Sequence, residues 1–257
     1  MARCKNRVGE ENVNNSGSKM IISRYEGIKD IDIYFPEYNW TAKNRLYKDF
    51  QQGTVRCPYD TNVYNVGYLG EGKYNCSIKR KLTNEYKTWT YMLERCYNSD
   101  YLKRFPSYID CTVCTEWHNF QNFAKWYEEN YYEVENSKMC LDKDILCKGN
   151  RIYSPKNCIF VPEEINLIFL HNNKKESGLP KGVTRHKNKF RSRSHIIENG
   201  KTIRKHLGLF DTPEEAFYMY KLTKEKYIKQ VADIYQPYIP NELYQAMYSY
   251  EIDINDK

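Results

Sequence analysis

Four residues, Thr212-Pro213-Glu214-Glu215, restrict the fold of this chain more than any other feature. A threonine followed three residues later by glutamate is a capping box, and proline is pre-set for the first helical turn. A helix therefore starts here, and Ala216, Met219, Tyr220, Thr223 and Tyr227 give it one packing face. The residues before it supply a partner. Gly178-Leu179-Pro180-Lys181-Gly182-Val183-Thr184-Arg185 opens a strand, Lys189 to Ser194 makes a second, and Arg204 to Phe210 a third. Turn chemistry separates them at His186 to Asn188 and at Glu198-Asn199-Gly200, whose Asn-Gly pair marks a hairpin. The prediction is a three-stranded antiparallel sheet packed on one helix over 178–235, within an α+β chain.

This module is also where the charge lies. The chain of 257 residues carries a net charge of +7. Lys174 to Phe210 alone holds eleven Lys or Arg against two Glu, so the remainder is slightly acidic. Positive charge concentrated in one segment is the footprint expected of nucleic-acid binding. No stretch is apolar and long enough to span a bilayer, so no membrane partner is expected. Met1 to Glu10 is polar and lacks a signal-peptide core, which points to the cytoplasm. Nine cysteines without a secretory context then read as reduced thiols.

Ahead of the basic module, residues 1–18 read as a polar, flexible arm. Residues 19–75 read as a small β-rich module, because Met20-Ile21-Ile22 and Ile31-Asp32-Ile33-Tyr34-Phe35 are strand-like and glycines punctuate them. That module is either a passive barrel or a nucleic-acid platform; RNA binding is a third option it could support, but no single-strand aromatic signature is present. Helices are predicted over 84–98, with Trp89, Met92, Leu93 and Cys96 on one face, and over 115–127, with Trp117, Phe120, Phe123 and Trp126. In the tail, 236–257, Glu242 to Tyr250 is amphipathic and predicted to pack back on the body.

The central region, 76–172, holds the second chemical signal. Leu141-Asp142-Lys143-Asp144-Ile145-Leu146 reads as a strand, Gly149-Asn150 lies in a loop, and Asn157-Cys158-Ile159-Phe160-Val161 leads through a second strand. Pro162-Glu163-Glu164-Ile165-Asn166 then opens a short helix, with Pro162 predicted at its first position. This order resembles the HNH, or His-Me finger, endonucleases, and specifically a phage-encoded class described as homing-like. The resemblance implies a ββα-metal domain that hydrolyses DNA phosphodiesters with one divalent metal, Mg²⁺ or Mn²⁺. By position it makes Asp142 and Asn166 the metal ligands and Asn157 the loop brace. The family's general-base histidine falls on Lys143, a departure that the phage class shares. A protonated lysine cannot accept a proton. Two readings follow: Lys143 stabilises charge, with metal-bound hydroxide as nucleophile and Asp144 as base, or the site is silent and the protein is a DNA-binding regulator or anti-defence factor. Cys111 and Cys114 form one Cys-x-x-Cys, half of a structural Zn²⁺ site, with Cys140, Cys147 and Cys158 near in sequence.

The basic module, for its part, is similar to the APETALA2/ethylene-response-factor DNA-binding domains. The matching residues are Gly182-Val183, Arg191, Arg193, Leu207-Gly208-Leu209-Phe210-Asp211-Thr212, Glu214-Glu215-Ala216 and Tyr220. The resemblance implies a sheet lying in the major groove of double-stranded DNA. By position, Arg185, Arg191 and Arg193 are the first candidates for DNA contact and Lys189 and Lys205 the second. Arginine can meet guanine bidentately, whereas lysine more often neutralises phosphate.

Overall fold

The computed structural model describes residues 6–169, 178–198 and 201–256. The predicted Asn199-Gly200 turn, with Lys174 and Lys175 of the basic segment, lies outside the described residues. Helices and antiparallel sheets coexist, so the class is α+β. The chain forms two compact units, one of residues 1–130 with 151–155, the other of 131–150 with 156–257.

In the first unit, β1 (Glu11–Val13), β2 (Lys19–Gly27), β3 (Asp30–Phe35) and β4 (Trp40–Arg45) form one antiparallel sheet in sequence order. The alternation seen in sequence is obeyed: Ile31, Ile33 and Phe35 are buried and their neighbours are not. Met20, Ile22, Ala42, Phe50 and Val55 complete this core, with α1 (Tyr47–Gln51) contributing Tyr47 and Phe50. Part of the expected loose arm is ordered instead. Glu11 to Val13 pair with Lys19 to Ile21, and the carbonyl of Asn14 accepts from Gly17. Ser18 and Asn14 anchor the turn on Asp60, at 2.5 and 2.8 Å. Polar side chains hidden this way need partners, and Asp60 provides them.

A two-residue hairpin, β5 (Ser77–Ile78) and β6 (Lys81–Leu82), leads to α2 (Asn84–Tyr97) and α3 (Ser99–Arg104), the latter capped by Asn98 Oδ1. After β7 (Thr112–Val113), the predicted second helix divides into a 3-10 turn, Thr115–His118, and α4 (Phe120–Asn130). The aromatic stripes are core: Trp89, Trp117, Phe120 and Phe123 are essentially inaccessible, and the Trp89 indole donates to the Trp117 carbonyl at 2.7 Å. The next two strands divide between the units. β8 (Met139–Asp142) belongs to the second, and β9 (Ile152–Tyr153) to the first, where it pairs in parallel with β7.

In the second unit β8 pairs antiparallel with β10 (Ile159–Pro162), and α5 (Glu163–Phe169) follows. Pro162 closes the strand rather than opening the helix, which starts one residue later. Then come β11 (Val183–His186), β12 (Lys189–Glu198) and β13 (Lys201–Phe210) in antiparallel order, α6 (Pro213–Tyr235) and α7 (Asn241–Tyr248). One core joins these parts: Val161 and Ile165 from the ββα segment, Ala216 and Ile228 from α6, Leu243 and Met247 from α7. The capping box forms as predicted, with Thr212 Oγ1 accepting from Glu215 N and Glu215 Oε2 from Thr212 N, both at 3.2 Å. Gly182 sits at φ +77°, a conformation side chains rarely adopt, and any Cβ there would strike the Tyr220 ring.

Candidate nucleic-acid interface and acidic loop

The two faces of the β11–β13 sheet have opposite chemistry, and register assigns every residue to one of them. Cα partners in an antiparallel pair share a face, and successive residues alternate. Val183 pairs with Ser192, and these two with Ser194 and Ile196 are buried on the face that α6 covers. Serines suit that face because α6 presents Ala216, itself fully buried, and small residues let helix and sheet approach closely. The open face therefore carries Thr184, His186, Lys189, Arg191, Arg193 and His195, joined across β13 by Arg204, His206 and Leu209. A bulge between Ser192 and Arg193 makes Leu207 the extra residue, so that Arg193 still meets His206.

Four of these side chains are Lys or Arg and three are His, yet counter-charge is scarce. Lys189 pairs with Asp211 at 3.1 Å at the margin. Arg191 meets His186 Nδ1, and Arg193 donates to Thr184 Oγ1 at 2.8 Å. Among the described residues, neither Arg191 nor Arg204 has a carboxylate within ion-pair distance. The histidines feel this field. Desolvation and then Arg191 hold His186 below its ordinary pKa, and desolvation and then Arg204 do the same to His195.

Of the five residues that sequence pointed to for DNA contact, Lys189, Arg191 and Arg193 share the open face. Arg185 and Lys205 do not. Arg185 pairs with Phe190 and lies over its ring at 5.0 Å, and Lys205 pairs with buried Ser194. Both are exposed all the same. Arg204, His186, His195 and His206 were not singled out. The alternation on from Arg191 and Arg193 marks His195, but Arg204 and His206 require the register, which the bulge shifts.

The acidic loop follows β8. Asp142 Oδ1 accepts from Asp144 N at 2.9 Å and Ile145 N at 2.7 Å, folding the chain back on the end of the strand. Burial, and then the Asp144 carboxylate, push the Asp142 carboxyl above the usual range. Lys143 is bound to Asp144 at 2.9 Å, with its own side chain 11% exposed and that of Asp144 47%. Asn150 Nδ2 donates to the Lys143 carbonyl at 2.6 Å, and Asn157 Nδ2 donates to Asn150 Oδ1 at 3.0 Å. Asn157 thus holds the loop through Asn150, a link that no sequence spacing marks. Asn166 is half-buried on α5, which packs on β8 and β10. Asp142 and Asn166 offer hard oxygen donors, the chemistry Mg²⁺ and Mn²⁺ take. Among the described residues no group of three His, Cys, Asp or Glu could hold a metal ion. Water or phosphate oxygens would therefore have to complete any shell that Asp142 and Asn166 begin.

Cys111, Cys114, Cys140, Cys147 and Cys158 form no disulfide and make no zinc cluster among the described residues. His118 meets the Val113 carbonyl at 3.1 Å and packs on Tyr97, a structural placement. No helix of the described residues is long and apolar enough to cross a membrane. Compared with protein-family models, curated proteins and solved structures, the chain matches none.

Proposed function

We propose that this protein binds double-stranded DNA through the open face of the β11–β13 sheet, and that the Asp142 loop makes it a metal-dependent, homing-like endonuclease. The observation that carries the reading is the cationic open face, where, among the described residues, Arg191 and Arg204 have no carboxylate within ion-pair distance, beside Arg193 and Lys189. Folded proteins usually neutralise clustered cations with neighbouring acids, and a polyanion supplies the same neutralisation from outside. Arginines two apart on one strand suit contact with successive phosphates or base edges.

In the cleavage step, Asp142 Oδ2 and the Asn166 amide oxygen would hold Mg²⁺ or Mn²⁺. The metal would supply charge stabilisation at the scissile phosphate. Asn150 and Asn157 fix the loop that carries Asp142, so the carboxylate is held before substrate arrives. A protonated Lys143 would donate rather than accept, and its ion-pair partner Asp144 would serve as the proton acceptor.

The Lys143–Asp144 ion pair also favours a second reading, a silent nuclease fold that only binds. In that arrangement an Asp144 oxygen is already engaged by the Lys143 ammonium. Incubation of supercoiled and linear DNA with Mg²⁺, Mn²⁺ or chelator, beside Asp142→Ala, separates the two. Metal-dependent nicking that disappears in Asp142→Ala, with duplex binding intact, is the expected result. Binding without cleavage under every metal condition would leave the regulator reading.

A further inference from the structure

A cleft of about 870 Å³ opens within the first unit, lined by Trp40, Arg45, Arg56, Tyr68, Glu71 and Tyr86 among others. It is comparable to ligand pockets in general, which run to about 300–1,000 Å³. None of these residues belongs to the sheet or loop described above.

Three features of the cleft converge on one ligand chemistry. First, three aromatic rings line the cleft, those of Trp40, Tyr68 and Tyr86, each half-buried. Tyr68 rests against Tyr59 with 6.0 Å between centroids. Trp40 is propped against Phe35 at 5.6 Å. Secondly, Arg45 and Arg56 are exposed at the same cleft and have no ion-pair partner among the described residues. Thirdly, the acids nearby are already engaged. Asp60 accepts from Ser18, Asn14 and the Cys57 amide, and Glu71 accepts from the Tyr59 hydroxyl at 3.0 Å. Half-exposed rings with unpaired arginines are what a single strand needs, with bases stacking on the rings and phosphates meeting the guanidinium groups. A proline-rich peptide would use the rings but not the two cations.

We infer that the cleft of the first unit binds single-stranded DNA, independently of the sheet proposed to bind duplex. The lining rings come from three separate stretches of chain, at 40, 68 and 86, which is why no local motif announces them.

The test uses the full chain and a short fluorescein-labelled oligo(dT), followed by anisotropy at about 50 mM salt. Arg45→Glu with Arg56→Glu should weaken oligo(dT) binding at least about tenfold, since two phosphate contacts become repulsive. Tyr68→Leu, which leaves charge untouched, should weaken it too, and circular dichroism should show both variants folded. A variant with alanine at Arg191, Arg193 and Arg204 should keep its oligo(dT) affinity while losing duplex affinity, so the two sites fail separately. Absence of oligo(dT) binding by the unaltered protein would overturn the inference. So would binding that the sheet variant abolishes and the cleft variant leaves intact.

Discussion

The two larger antiparallel sheets of this protein carry similar side chains and treat them differently. On the first-unit sheet, Arg24 is held by Asp30 at 2.5 Å and Asp32 at 2.9 Å, with Glu26 at 3.7 Å, and Lys19 pairs with Glu11 at 2.8 Å. The fit is reciprocal, since Arg24 draws the Asp32 carboxyl below its ordinary range. On the second-unit sheet, Arg191 and Arg193 instead contact His186 and Thr184, groups without negative charge. The number of arginines does not distinguish the two sheets. Among the described residues, what distinguishes them is whether a neighbouring strand supplies the counter-charge.

The largest expected effect removes that difference outright. Replacing Arg191, Arg193 and Arg204 with alanine should lower duplex affinity by about 100-fold, and flatten the salt dependence by about 0.9 log unit per lost phosphate contact. Anisotropy titrations across a salt series read both quantities. Arg24→Ala is the counterpart, and it should leave duplex affinity and salt slope unchanged. Equal losses from the two substitutions would mean that the compensated and uncompensated sheets do not differ in function.

A subtler substitution converts one sheet into the likeness of the other. His186→Glu places a carboxylate against Arg191, as Asp32 stands against Arg24. Duplex affinity should fall by about tenfold, with no loss of thermal stability, because an internal acid now competes with phosphate. An unchanged affinity would show that Arg191 does not need to be free in order to bind.

Which parts of this pattern sequence could supply follows from the range of the interactions involved. The capping box and the strand alternation act over a few residues, so the three strands and α6 were legible, and so were Arg191 and Arg193 as a pair. The face of Arg185 was not. It depends on β11 meeting β12 in the register Arg185 to Phe190, a relation between strands. The edge strand β1 was missed for a related reason. Glu-Asn-Val carries little strand propensity, and pairing with β2 and the Asp60 anchor hold it. At the acidic loop, Asp142 and Asn157 could be placed by resemblance. Asn150, which connects them, acts through a side chain to backbone contact that spacing does not encode.

The support of the open face gives a smaller effect. Thr212→Ala removes one half of the capping box at the start of the helix behind the sheet, and should cost about 1 kcal/mol of stability in a denaturant titration. Duplex affinity at temperatures well below unfolding should stay the same. A parallel loss of affinity would show that the open face depends on helix α6 for more than support.

The smallest effect distinguishes the sheets by pH. His186 and His195 both have folded pKa values below the ordinary 6.5, held there by desolvation and then by Arg191 and Arg204 respectively. Lys187, His206 and Arg193 add to the field at His186, and Lys224 and Arg193 to that at His195. A depressed histidine pKa means that the unfolded chain takes up protons first, so stability falls as pH drops through the unfolded value. DNA phosphates have the opposite influence on the same rings, favouring the protonated form, so binding should take up protons. Affinity for duplex should therefore rise a few-fold from pH 7.5 to 5.5 while thermal stability declines. His186→Ala with His195→Ala should flatten the affinity profile, whereas Arg24→Ala should leave it as it is. A profile that stays flat in the unaltered protein would place the phosphates away from these histidines, and with them the DNA away from this face.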